Sequence, residues 1–290
     1  MRGNELVELA RLRPVIADGA MGTMLQQKGL EPGACPELWN IEHADVVRAI
    51  YEAYIAAGSE VISTNTFGGN RIKLRTYGLE NHAVEINSAS VRIAKGVAGE
   101  QAYVMGSIGP TGHFLEPLGD LTFDEAFSVF YEQALAMAQA GADVILLETF
   151  SDILEVKAGL AAALKTGIPC FCTMAFDSSG RTMMGVSPAR AATELTEAGA
   201  TGVGANCGTG PAEMLDIVRQ MRAVTKAILI AQPNAGVPRI DKGQVIYDVS
   251  PEEMAEYAQK FVDAGVNIIG ACCGSTPEHI KAIRKALAVL

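Results

Sequence analysis

Three cysteines stand where strand-like apolar runs end: Cys207 in Ala205-Asn206-Cys207-Gly208, and the adjacent pair in Gly270-Ala271-Cys272-Cys273-Gly274. Three thiolates can hold a divalent metal and leave one tetrahedral corner open, the arrangement of a catalytic zinc rather than a sealed structural one. The open corner would take a substrate. Neighbours in a regular strand point to opposite faces, so Cys272 and Cys273 can share a metal only where the strand ends and the chain turns, as Gly270 and Gly274 permit. Two competing readings are simple burial of three small hydrophobes and a vicinal disulfide, which needs strained geometry and leaves Cys207 unexplained. A trithiolate site is a weak Lewis acid but an electron-rich place for a fourth sulfur. It suits alkylation of a bound thiol better than hydrolysis, which needs a general base beside a metal-bound water.

A thiol substrate carrying an amino acid also needs an anion for its ammonium and donors for its carboxylate. Asp18 and Glu148 can supply the first, and backbone N–H groups around Gly19 and Thr64-Asn65 the second. The structural alternatives are a turn residue before Gly19 for Asp18 and an internal salt bridge for Glu148. Asn234, in Pro-Asn-Ala-Gly, is either a turn residue or a fourth metal ligand in the substrate-free state. Met21, Met24, Met183 and Met184 read first as packing residues.

These residues gain meaning from the elements that must position them. Eight short apolar or β-branched runs alternate with amphipathic helical stretches. The predicted strands are Val15 to Asp18, Val61 to Asn65, Tyr103 to Ile108, Val144 to Glu148, Cys170 to Phe176, Gly202 to Cys207, Ala227 to Asn234 and Val266 to Cys273. Eight βα units predict a (β/α)8 TIM barrel, read as one domain over residues 1–290 because no linker divides the chain. Gly58, Gly141, Gly167, Gly199 and Gly265 are placed to end helices, and Ser275 or Thr276 to cap the last one ahead of Pro277. Barrel chemistry belongs to the C-terminal ends of the strands, where Asp18, Asn65, the Gly109 to Gly112 turn, Glu148, Cys207, Asn234 and Cys272-Cys273 fall.

Exclusions narrow the chemistry further. No lysine ends a strand, against a Schiff-base aldolase. His43 and His279 fall at helix starts and His82 in a polar stretch, leaving only His113 near the mouth, against a multi-histidine metal site. No phosphate-binding glycine loop occurs. A net charge of −10 without a basic run speaks against nucleic acid. The apolar runs are too short for a bilayer and the N-terminus lacks a secretory pattern, so a cytoplasmic protein is expected. In a reducing compartment the six cysteines read as ligands or buried residues, with Cys170 and Cys172 packing in a strand.

The chain resembles the zinc-dependent homocysteine S-methyltransferases along nearly its whole length. The matching segments, in family order, are Asp18 to Thr23, Thr64 to Gly68, Gly109 to Gly112, Glu148 to Phe150, Asn206-Cys207, Pro233 to Gly236 and Gly270 to Gly274. The resemblance implies a barrel with zinc on Cys207, Cys272 and Cys273, Asp18 and Glu148 holding L-homocysteine, and methyl transfer giving methionine. Within the family it is greatest to the homocysteine-binding module of cobalamin-dependent enzymes, which implies a methylcobalamin or other methylated corrinoid donor on a partner protein or domain. The chain has no corrinoid-binding Asp-x-His-x-x-Gly, leaving open a free-standing enzyme or a piece of a longer one. A betaine donor fits less well, because Gly68 follows Phe67 where that branch has tyrosine; S-methylmethionine ranks second. Readings of another class are a thiol-binding sensor and an oxidoreductase using the vicinal pair.

Overall fold

In the computed structural model, which describes residues 2–241 and 244–287, all eight apolar runs form strands. They are β1 (Val15–Ile16), β2 (Val61–Ser63), β3 (Tyr103–Ile108), β4 (Val144–Phe150), β5 (Cys170–Met174), β6 (Gly202–Asn206), β7 (Ile228–Gln232) and, last in the chain, β10 (Ile268–Ile269). Every pairing among them is parallel, in the order β1-β10-β7-β6-β5-β4-β3-β2. A parallel bridge from Ala17 to Val61 and the Glu60 N–H bond to Ile16 O (2.7 Å) bring β1 back to β2 and close the ring. The (β/α)8 barrel expected from the sequence is the fold.

Strand alternation builds two layers of core. Val15, Ala17, Val61, Val144, Leu146, Ile228, Ile230 and Ile268 fill the barrel, while Ile16, Ile62, Ile145, Leu147, Leu229 and Ile269 face the surrounding helices. Helix Arg2–Leu12 plugs the N-terminal end with Leu6, Val7 and Ala10. The five glycines predicted to end helices all have positive φ, from 79° to 106°, which places the left-handed turn where L side chains would be strained. Thr122 and Glu125 form a reciprocal capping box on helix Phe123–Ala140. Ser275 does something other than cap the last helix. Its hydroxyl donates to Cys272 O (2.7 Å) and accepts from Ala20 N–H (3.0 Å), stitching the ends of the chain together at the mouth.

Two departures from the sequence pattern matter. The regular ladder of most strands stops before the polar residues assigned to their ends, because those residues leave the sheet to face the mouth; in β10 only Ile268 and Ile269 pair regularly. Between β7 and helix Pro251–Asp263 lies an unanticipated antiparallel hairpin, β8 (Arg239–Asp241) with β9 (Gln244–Ile246). Among the described residues no helix is long and apolar enough to cross a membrane.

Candidate metal and substrate site

Cys207 follows β6 directly and has φ 56°, a left-handed conformation that a non-glycine residue adopts at a cost of about 1–3 kcal/mol. It is held by its N–H bond to Gln232 O (3.1 Å) and by Thr209 N–H donating to its carbonyl (2.7 Å). The next residue must be glycine, since a Cβ on Gly208 would lie 2.2 Å from Phe176 O. After β10 the chain turns through Gly274: Cys272 N–H reaches Pro233 O (2.7 Å), and Ala235 N–H reaches Cys273 O (2.9 Å). This turn brings both members of the vicinal pair to one side.

Sγ of Cys273 lies 4.0 Å from Sγ of Cys207 and 4.0 Å from that of Cys272, and all three sulfurs fall within 4.8 Å of one another. For Zn–S bonds of about 2.3 Å, tetrahedral sulfurs would sit about 3.8 Å apart, so the cluster fits such an ion with little movement. Among the described residues this is the one group of three or more His, Cys, Asp or Glu side chains close enough to hold a metal. The thiols divide their protons unevenly. Contacts from the Cys272 and Cys273 thiols, with help from Gly208 N–H and Asn234, pull Cys207 down to about 3. Cys272 and Cys273 are pushed up by that same neighbour, Cys273 to about 11. A divalent cation is what would stabilise all three as thiolates together. Asn234 completes the picture: it is buried, it helps to lower Cys207, and its Oδ1 has no partner among the described residues.

Asp18 and Glu148 lie beside the thiols on the other strand ends. The Asp18 carboxylate accepts Ser63 N–H (2.7 Å) and Ser63 Oγ–H (3.0 Å); Glu148 accepts from Ser107 Oγ–H and from Asn206 Nδ2 (3.3 Å). Burial pushes each up to about 7, with the Glu148 charge adding to the rise at Asp18 and the Cys207 charge to that at Glu148. No cation offsets either one among the described residues. A buried carboxyl, Asp18, and a partly buried one, Glu148, thus stand without a counter-ion near a thiol cluster, an arrangement whose charge a cationic ligand would balance.

The donors expected at Thr64 and Asn65 are committed inside the protein. Thr64 N–H bonds Met105 O (2.9 Å), and Asn65 N–H bonds Tyr51 Oη (2.7 Å) and Ser90 Oγ (2.9 Å). The Asn65 amide bonds Pro36 O and Asn40, and Thr64 Oγ1 accepts Ser107 N–H. Both residues therefore frame the site without offering it a free donor. The turn at Gly19 is different. A Cβ there would meet Ser275 Oγ at 2.5 Å and Tyr54 Oη at 2.9 Å, so backbone alone lines this part of the mouth. His113 stands half exposed, 3.9 Å from Asp120.

Sequence reasoning assigned no role to Ser63, Ser107 or the Asn206 side chain, whose partners lie on other strands. It also missed Tyr247, just past the hairpin. That ring would collide with any Cβ on Gly274 (2.1 Å), the residue after Cys273. Burial and then the neighbouring thiolates push Tyr247 up to about 12.

Residues 15–287 match the family model described as homocysteine S-methyltransferase. The methionine synthases of Mycobacterium leprae (strain TN) and Mycobacterium tuberculosis (strain ATCC 25618 / H37Rv) are 32% and 33% identical over 98% of this chain. The chain spans 25% of the length of either relative. Among solved structures, the metallated form of the homocysteine methyltransferase MmuM from Escherichia coli superposes with a TM-score of 0.79 at 21% identity, over 94% of this chain and 96% of that one, a likeness of fold.

Proposed function

The chain belongs to the homocysteine S-methyltransferase family, and from that premise we propose that it methylates the thiol of L-homocysteine to give L-methionine. In this reading residues 1–290 act as one homocysteine-binding barrel, with zinc on Cys207, Cys272 and Cys273 and Asn234 as its fourth ligand before substrate arrives. The observation that carries the reading is the juxtaposition of three sulfurs within 4.8 Å of one another and two carboxyls without a counter-ion, Asp18 buried and Glu148 partly so, at one mouth. When bound, zinc would favour the deprotonated substrate thiol without quenching its nucleophilicity.

The protein's own part is positioning. Asp18 and Glu148 receive the substrate ammonium, and their protons leave as the cation arrives, because an opposite charge restores the ionised form. The backbone turn at Gly19 lines the carboxylate's place, framed by Thr64 and Asn65. Held at both ends, the substrate presents its sulfur outward. A lone pair on sulfur forms the new S–C bond as the bond from the methyl carbon to the donor breaks, its electron pair leaving with the donor. No acid or base need touch the methyl group, so alignment supplies most of the rate.

The donor we propose is a methylated corrinoid on a partner protein or domain. The length of the mycobacterial relatives, of which this chain spans 25%, leaves room for a donor carried on a further domain and so supports it. So does the rim: Phe67, Phe114, Leu118 and Met183, on loops after β2, β3 and β5, and Leu154, in the first turn of the helix after β4, expose apolar side chains suited to a broad donor.

Elemental analysis of chelator-free protein, followed by methionine-formation assays with methylcobalamin and with S-methylmethionine, tests both levels. About one zinc per chain and turnover with methylcobalamin are expected. Turnover with S-methylmethionine alone would replace the corrinoid by a sulfonium donor. Absence of zinc that added metal does not restore would remove the reading.

A further inference from the structure

The Asn206 carboxamide contacts both Glu148 and Cys272, one group from each part of the site. Asn206 ends β6 and is buried, 1% exposed. Its Oδ1 accepts Thr149 N–H (2.8 Å) and Thr173 Oγ1–H (2.7 Å). Its Nδ2 donates to Thr149 Oγ1 (2.7 Å) and Glu148 Oε2 (3.3 Å), and lies 4.0 Å from Cys272 Sγ. One amide thus ties together residues from β4, β5 and β6 and the thiol pair after β10.

The backbone it holds is irregular. The β4–β5 register shifts between Leu147 and Phe150, and Thr149 has φ 65°, an outlier for a β-branched residue. A β-bulge of this kind re-aims the side chains beside it, and it persists only where its surroundings over-determine it. Here the restraint is Asn206, which accepts from the N–H of Thr149 and donates to its hydroxyl oxygen. The side chain re-aimed by the bulge is Glu148.

Resting on the function proposed above, we infer that Asn206 is a positioning residue that sets the reach between the ammonium socket and the thiol cluster, and so makes the site selective for thiols carrying an amino-acid head. It touches Glu148 and Cys272, which act on the substrate in its place. A substrate thiol held at the metal has its ammonium at a fixed distance, and only a Glu148 kept in place by the amide meets it there.

The test compares two thiols on the full chain reconstituted with cobalt(II), whose absorbance reports thiol ligation: L-homocysteine, and propane-1-thiol, which lacks the amino-acid head. Their affinity ratio cancels any change at the metal common to both. In Asn206→Ala we expect homocysteine affinity to fall about tenfold or more, the scale of a lost hydrogen bond to a charged group, with propane-1-thiol unchanged. Asn206→Asp has the same shape and guards against a folding failure. It keeps the acceptor for Thr149 but turns an oxygen on Glu148, and should lower the ratio likewise. Combining Asn206→Ala with Glu148→Ala should weaken homocysteine no further than Glu148→Ala alone, because the two act as a unit. An unchanged ratio in a folded variant, or equal loss for both thiols, would overturn the inference. Failure of the unmutated protein to bind either thiol would overturn the proposed function itself, and this inference with it.

Discussion

Glu60 and Asp143 precede β2 and β4 at the plugged end of the barrel; Asp18 and Glu148 lie at the far ends of β1 and β4, by the mouth. At the plugged end each carboxylate has a cation: Arg13 reaches Glu60 at 2.6 Å and Lys95 reaches Asp143 at 3.0 Å, and backbone N–H groups of Ile16 and Val104 complete their bonding. Burial alone would raise Glu60, but Arg13 holds it below its ordinary value. At the mouth burial acts without a cation and pushes both carboxyls up to about 7. The same chemical group is thus paired at one end and left without a counter-charge at the other, the contrast on which the proposed ammonium site rests.

The largest expected effect is at the mouth. Cys207→Ser or Cys273→Ser should drop bound zinc from about one per chain to near zero, and methionine formation with it, since two remaining thiolates close no such site. Normal zinc in either variant would erase the contrast at its centre. Next comes the plug. Leu6→Ala, at a fully buried position, should cost about 2–5 kcal/mol of unfolding free energy while leaving the KM for homocysteine unchanged. A KM shift measured alongside denaturant unfolding would show that the two ends are not separable.

Glu148→Gln sharpens the comparison, because it removes an uncompensated charge. Homocysteine affinity should fall by about 10- to 100-fold with zinc retained, while the ligand-free protein melts roughly 2–6 °C higher at pH 8. Lower stability together with unchanged affinity would reject the socket. The pH dependence has opposite signs at the two ends. Asp18 and Glu148 bind protons more tightly folded than unfolded, so their contribution to ligand-free stability falls as pH rises from about 4 to about 7. Glu60 is depressed, so its contribution is present above its unfolded value and is lost on acidification. Calorimetry near pH 6.5 should accordingly record proton release beyond that of the substrate thiol when homocysteine binds, and a release no larger than in Glu148→Gln would contradict the raised Glu148 carboxyl. The smallest effect belongs to neither end: Thr122→Ala, breaking the capping box, should cost about 1 kcal/mol and leave activity alone.

Much of this was legible from residues alone. Eight alternating runs mark the strands, because the period of side-chain direction is a local property of the backbone. Glycines at helix ends are legible for a like reason, the steric cost of positive φ for any L side chain. Cys207 and the vicinal pair could be singled out by type and by position at strand ends, and the family by its motifs in order. Position also separates Glu148, which ends its run, from Glu60, which precedes one. Local sequence could not say that Glu60 meets Arg13 while Glu148 meets no cation among the described residues, since that depends on which strand ends lie together once the ring closes. The same holds for the hairpin bearing Tyr247, for Thr64 and Asn65 spending their donors on Met105, Tyr51 and Ser90, and for the reach of Asn206 across two strands to Glu148. Backbone sterics act over a few residues and are written in sequence, whereas hydrogen bonds and charge pairs depend on distances that only the closed barrel defines.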